Sequence, residues 1–330
     1  MTKASSESAA DLAGKLRAGD RRALARAITL IESTKPDHTG EAEALLEALL
    51  PFSGASVRIG ISGVPGVGKS TFIERFGLLL VEAGHKVAVL AVDPSSKVSG
   101  GSILGDKTRM EELSRHAQAF IRPSPTGGTL GGVARRTREA MLACEAAGFD
   151  VVIVETVGVG QSETAVAEMV DIFLLLLLPG GGDELQGIKK GIVELADAVI
   201  VNKADGDLKP AADRAAAEYY AALGLLRAPN PEWRPPVLRC SALTGEGIAA
   251  VWDIVQQHRK VMEGSGARAA KRAAQAGAWM WGEVADGLMR RFKAHPEVAR
   301  ELEALERAVR SGRTTPTAAA RRLVGLFSSE

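Results

Sequence analysis

Cysteine is nearly absent, with only Cys144 and Cys240 in 330 residues. So few thiols, far apart in the chain, form neither the disulfide framework of a small secreted domain nor a clustered thiolate metal site. Aromatic residues are scarce at 4%, which removes the stacking platform that single-stranded nucleic acids use. Charge of one sign is lacking as well: Lys+Arg 41 stand against Asp+Glu 40, for a net charge of +1. No nucleic acid and no membrane surface is therefore expected as partner. The longest strictly aliphatic or aromatic run, Ile172 to Leu178, falls far short of the roughly 18 residues that span a bilayer. The opening stretch MTKASSESAADLAGKLRAGD holds no apolar core of a secretory signal. A reducing cytoplasm is the expected location.

What the chain has in excess is glycine, 36 residues of 330, against about 7% in average usage. No collagen-like period accompanies it, so the surplus belongs to particular loops. At roughly 150 residues per domain, the length predicts about two domains or one large domain with extensions.

Three segments follow from the apolar pattern. Residues 1–52 read as a helical extension: Leu12 and Leu16, then Leu24, Ile28 and Ile31, then Leu45 and Leu49 recur at helical spacing, interrupted at Pro36 and stopped by Pro51. In 53–260 short apolar runs alternate with helical stretches such as 69–84, 130–147 and 207–224. The runs lie at 57–62, 86–92, 119–122, 150–154, 171–178, 197–202 and 236–241. Apolar strands joined by helices predict a doubly wound, mainly parallel α/β sheet covered on both faces. In 261–330 the strands stop and helical patterns continue to the end, one through Ala278, Trp281, Ala285, Leu288 and Phe292 and another through Val298, Leu302, Leu305 and Val309. An arm of this size has little core of its own. It packs on the α/β domain or on a second copy of the chain, with the Trp281, Leu288 and Phe292 stripe as the expected contact.

The first apolar run leads straight into Gly63, Val64, Pro65, Gly66, Val67, Gly68, Lys69, Ser70 and Thr71. This is G-x-x-x-x-G-K-[ST] in a strand–loop–helix setting. Its backbone N–H groups cradle phosphate oxygens and the following helix adds its dipole, so the domain is a P-loop nucleotide binder. Lys69 is expected to reach the β- and γ-phosphates and Ser70 to hold Mg²⁺. Hard oxygen donors for that ion lie near predicted strand ends: Asp93, Glu155, and Asp106 in the loop between them. Asn202, Lys203 and Asp205 form N-K-x-D after another strand, and Ser241, Ala242 and Leu243 follow the last. An aspartate can accept both the N1–H and the exocyclic amine of guanine, which adenine does not offer, so the pattern selects GTP.

Lys69 and Glu155 are the residues expected to act in hydrolysis. Glu155-Thr-Val-Gly158 stands where a switch element senses the γ-phosphate, and the next residue, often a water-orienting glutamine, is Val159. Slow intrinsic hydrolysis is expected unless a group such as Gln161 or a partner contributes. Glycines at 100, 101, 105, 127, 128, 131, 132, 158, 160 and 180–182 populate loops that a γ-phosphate could order or release.

The strings GVPGVGKST, AVDPSS, SGGSILGDKTRM, ETVGVGQSE, PGGGDELQGIKKGI, NKAD and SAL closely resemble the MeaB/ArgK family of G proteins. In bacteria and mitochondria that family accompanies adenosylcobalamin-dependent methylmalonyl-CoA mutase. The resemblance covers nearly the whole chain. It implies a GTPase chaperone that protects the mutase from inactivation and gates cobalamin loading, usually as a homodimer built through the C-terminal helices. It also implies that Ser70, Asp93, Asp106 and Glu155 surround the Mg²⁺. Two other classes stay open: a transport-linked kinase, and a metallocentre-insertion GTPase. The latter would call for clustered ligands, whereas His38, His85, His116, His258 and His295 are scattered.

Overall fold

The computed structural model describes residues 8–92, 110–123, 130–156, 162–180, 190–225 and 230–328, in two compact units, 1–271 and 272–330.

In the first unit, three helices open the chain: α1 (Ala9–Arg17), α2 (Arg21–Ile31) and α3 (Pro36–Leu49). Ser8 caps α1 by accepting from the Asp11 amide, and Asp20 caps α2 by accepting from Arg22 and Ala23. Pro36 does not interrupt a helix. It occupies the first turn of α3, where its missing N–H would have had no intrahelical partner.

The sheet strands are β1 (Val57–Gly63), β2 (Val87–Val92), β3 (Ala119–Arg122), β4 (Val151–Thr156), β5 (Ile172–Leu177), β6 (Ala198–Val201) and β7 (Val237–Arg239). They lie in the order β3-β2-β4-β1-β5-β6-β7, and every pairing is parallel. Each apolar run named above overlaps one of these strands, although β1 and β4 run on past 62 and 154. β1, β2, β4, β5 and β6 are buried at every position. Side chains enter the core from both faces, each full burial contributing about 1.5–3 kcal/mol. The connecting helices are α4 (Lys69–Glu82), α5 (Glu111–Arg115), α6 (Leu130–Ala146), α7 (Ser162–Ala167), α8 (Lys190–Val193), α9 (Lys209–Leu225) and α10 (Ile248–Gly264).

The N-terminal helices pack on α6 and on the β3 edge. Arg21 donates to the carbonyls of His116 and Ala119, and Arg122 pairs with Glu32. Inside, Arg58 makes a two-point pair with Glu145 at 2.8 and 2.9 Å, both residues being buried. Burial alone would raise the Glu145 pKa; Arg58, Ser56 and the Gly54 amide together hold it below the ordinary value.

Beneath the starts of β5 and β6 lies a second polar cluster. Asp171 accepts from the Arg58 amide and Asp197 from the Phe173 amide. The first turn of α11 (Ala267–Ala294) joins it, with Arg268 donating to the Ser56 carbonyl and Lys271 to the Asp171 carbonyl. His258 is buried there with its ring edge-on to Trp233 at 4.9 Å.

The second unit contains the rest of α11 followed by α12 (Pro296–Arg310) and α13 (Pro316–Phe327). Val298, Leu305 and Ala319 are buried, Phe292 meets Phe327 at 5.4 Å, and Arg322 pairs with Glu301 at 2.9 Å. Phe292 is thus half-buried within its own unit. The exposed apolar stripe of α11 consists instead of Met280, Trp281, Val284, Leu288 and Met289. α13 is a separate helix that the spacing of apolar residues did not announce. Thr315 caps it by accepting from Ala318.

Candidate nucleotide site

Strand register brings the loops of interest to one edge. Ile61 pairs with Glu155, Gly63 with Leu176, and Val201 with Arg239. The carboxyl ends of β1, β4, β5, β6 and β7 therefore share the rim where ligands bind in open α/β sheets. The topological switch lies at β1, which is flanked by β4 on one side and β5 on the other.

Gly63 ends β1, and the chain turns through Val64, Pro65, Gly66, Val67 and Gly68 before α4 begins at Lys69. Gly66 and Gly68 adopt φ of 78° and 89°, a region that a side chain disfavours. Val67 is buried and tethers the loop to the core, whereas Pro65, Gly66 and Thr71 are exposed. Lys69 folds back over this turn and donates to the Gly63 carbonyl at 2.7 Å. Burial holds its pKa below the ordinary lysine value, against the opposing charges of Glu155 and Glu163. Half-buried Ser70 follows at the first turn of α4.

Asn202 is the residue that unites three motifs. Its Nδ2 donates to the Val67 carbonyl at 2.8 Å, and its Oδ1 accepts from the Ala242 amide at 3.0 Å. Cys240 Sγ lies 3.5 Å from the same Oδ1. Lys203 is exposed with φ of 59°, the one positive value outside glycine among the described residues. Asp205 accepts from the Ser241 hydroxyl, and Ser241 Oγ in turn accepts from the Thr244 amide at 3.1 Å. Leu243 is exposed beside this turn.

Glu155 is buried at the end of β4, next to Thr156, whose hydroxyl meets that of Ser62 at 2.9 Å. This pair fastens the strand that carries Glu155 to the strand that carries the phosphate loop. Ser70 and Glu155 are both hard oxygen donors, the type Mg²⁺ takes, so the described part of the donor set fits that ion. Asp93, Asp106, Gly158, Val159 and Gln161, together with Gly100, Gly101, Gly105, Gly127, Gly128, Gly160, Gly181 and Gly182, lie outside the described residues.

Sequence reasoning did not single out Ser62, Thr156, Glu163 or Cys240. Three sit inside or beside apolar strands, where small polar residues carry no periodic signal. Cys240 is buried, and its thiol is pushed up to about 12, so it acts as a small packed donor and not as a nucleophile.

Comparison with known proteins decides the kinship. The sequence model of the methylmalonyl-CoA mutase-associated GTPase MeaB matches residues 24–297. The chain belongs to the MeaB family. A relative from Caulobacter vibrioides is 64% identical over 314 residues, covering 95% of this chain and 96% of its own. The methylmalonic aciduria type A homolog of Mus musculus is 52% identical, covering 94% of this chain and 77% of its own. GTPase ArgK of Escherichia coli is 48% identical, covering 94% and 93%. A solved structure titled LAO/AO transport system kinase shares 39% identity with a TM-score of 0.79, over 99% of this chain and 100% of that one. As a MeaB-family protein the chain is a GTPase of the P-loop fold, binding GTP and GDP.

Proposed function

We propose that the protein is a GTP-driven chaperone of adenosylcobalamin-dependent methylmalonyl-CoA mutase, protecting the enzyme from inactivation and gating its cofactor loading. The observation that carries the GTP half is Asn202, which bonds the phosphate loop and the last guanine-side loop at once. The mutase half is supported by the family description. The proposed setting is cytoplasmic. No helix among the described residues is long and apolar enough to cross a membrane.

In this reading Gly63 through Thr71 wrap the phosphates. Lys69 leaves the Gly63 carbonyl for the β- and γ-phosphates, where its charge offsets the negative charge that builds as the bond to the leaving β-phosphate oxygen breaks. Asp205, fixed by Ser241, accepts the guanine N1–H and amine. The Lys203 stem lies along the base, and the backbone of Ser241, Ala242 and Leu243 faces the guanine O6. Ser70, Asp93, Asp106 and Glu155 would hold Mg²⁺, which would supply charge neutralisation at the phosphates.

A client that binds the GTP and GDP states unequally must in turn change nucleotide affinity or turnover. Purified mutase should therefore alter GTP hydrolysis or nucleotide affinity, and mutase that leaves both unchanged removes the chaperone assignment. The transport-linked kinase reading draws on the printed title of the similar structure. Label from γ-labelled GTP appearing only in free phosphate excludes it. For a metallocentre-insertion role, the histidines occupy five separate places: His38 on Ser33, His85 on Asp150, His116 before Gln118, His258 against Trp233 and His295 against Phe327. Stoichiometric Ni²⁺ or Zn²⁺ binding would revive that role.

A further inference from the structure

The backbone ladder between β1 and β4 ends before the phosphate loop begins. Its last register is Ile61 opposite Glu155; beyond it Ser62 and Gly63 pair with Leu175 and Leu176 of β5, while Thr156 pairs with Val92 of β2. The two strands therefore part at the mouth of the crevice where ligands enter an open α/β sheet. A side-chain tie continues past the last rung: the buried hydroxyls of Ser62 and Thr156 meet at 2.9 Å. Alternation along a strand puts this pair and Glu155 on opposite faces of the sheet. Ser62 shares its face with Gly60, on which a Cβ would crowd Val166 of α7 together with Val170 and Phe173. Glu155 shares the other face with Ile59, Ile61 and Ile153, which pack in one cluster with Phe72 and Ile73 of α4. On that side its charge acts on Lys69 at the start of α4. The hydroxyl pair stands on the face away from α4 and can act on the nucleotide site only through the strands that it joins.

We infer that Ser62 and Thr156 are positioning residues for GTP hydrolysis: their bond holds Glu155 at the last rung of the β1–β4 ladder, facing the helix that Lys69 begins. The inference rests on the expected action of Glu155 in hydrolysis. A strand end with no rung beyond it frays, and the residue at that end then samples more than one position. The hydroxyl bond supplies the missing rung without placing a further polar group among the phosphates. Ground-state binding of nucleotide by the phosphate loop and the guanine-side loops does not depend on it, whereas the alignment of Glu155 in the transition state does.

The test compares the full-length wild type with Thr156→Val, Thr156→Ser, the double variant Ser62→Ala, Thr156→Val, and Glu155→Gln. Single-turnover GTP hydrolysis, GDP affinity and urea unfolding are measured on each. Valine keeps the shape of threonine and removes the hydroxyl; serine keeps the hydroxyl. Thr156→Val should slow hydrolysis on the order of tenfold and leave GDP affinity unchanged, and Thr156→Ser should hydrolyse GTP at the wild-type rate. The double variant leaves no buried hydroxyl unpartnered, so it should regain stability yet stay slow. That split separates positioning from support of the fold. Thr156→Val at the wild-type rate, Thr156→Ser as slow as valine, or a double variant that regains rate together with stability would each overturn the inference. Should Thr156→Val fail to fold, the double variant decides by the same criterion. Glu155→Gln should be slow in its own right. If it hydrolyses GTP normally, the role of Glu155 falls and the inference with it, whereas a slow Glu155→Gln beside a fast Thr156→Val removes the hydroxyl pair alone.

Discussion

Asn202 and Asp205 are three positions apart yet act on different objects. Asn202 is buried and holds protein to protein, while half-buried Asp205 accepts from the Ser241 hydroxyl. Replacing Asp205 by Asn puts donors opposite the donors of guanine, whereas xanthine offers a carbonyl in place of the amine. GTP affinity of Asp205→Asn should fall at least about 100-fold and xanthosine triphosphate should bind in its place, as measured by calorimetric titration. Unchanged GTP affinity would remove Asp205 from the base site. A neighbouring joint is testable through stability. Thr156→Val leaves the buried Ser62 hydroxyl without its partner, a loss of about 1–3 kcal/mol in urea unfolding, and the double variant with Ser62→Ala should recover most of it. No recovery would mean that the hydroxyls do not act as a pair.

The cluster at the base of β5, β6 and α10 gives the protein an acid-sensitive element. Burial lowers the His258 pKa, with Lys271 acting in the same direction and Asp197 and Asp171 opposing. The folded state therefore binds the proton less readily than the unfolded chain, whose histidine titrates near 6.5. Stability from this group is complete above that pH and declines as the pH falls from there through the lowered folded value. The melting temperature should drop across this window, and His258→Phe should flatten that part of the profile; an unaltered slope would assign the acid sensitivity elsewhere. Elements of this kind divide what the sequence discloses from what it hides. Strands such as Val151–Thr156 and Ile172–Leu177 were legible because burial on both faces makes them apolar runs, and a run followed by G-x-x-x-x-G-K-S names its own loop. His258 on an amphipathic helix, and Asp171 and Asp197 ahead of apolar strands, gave no such signal. Their partners lie up to 113 positions away, and only the closed sheet brings them together. α13 falls where the helical pattern was expected to run to the end, but nothing marked it as a helix of its own, because its apolar residues Leu323, Val324, Leu326 and Phe327 crowd into its last turns instead of forming a regular stripe.

For the whole molecule, the exposed stripe on α11 suits the homodimer that the family resemblance leads one to expect, which we propose is built through this helix. Trp281 and Leu288 are 66% and 54% exposed, and apolar residues repeating along one helix face are unusual on a surface that meets only water. The double variant Trp281→Asp, Leu288→Asp should sediment as a folded monomer; a dimer that persists would place the contact elsewhere. Sheet order also governs how the chain can be built. β1 pairs with β4 and β5 but not with β2, and Val67 receives its bond from Asn202, 135 positions later. A growing chain on the ribosome therefore exposes the phosphate loop early and cannot shape it until β4, β5 and β6 have all emerged. Nucleotide in the cell meets a finished pocket only near the end of synthesis. GTP or GDP can then favour the completed sheet over late, partly assembled forms, but cannot guide its beginnings.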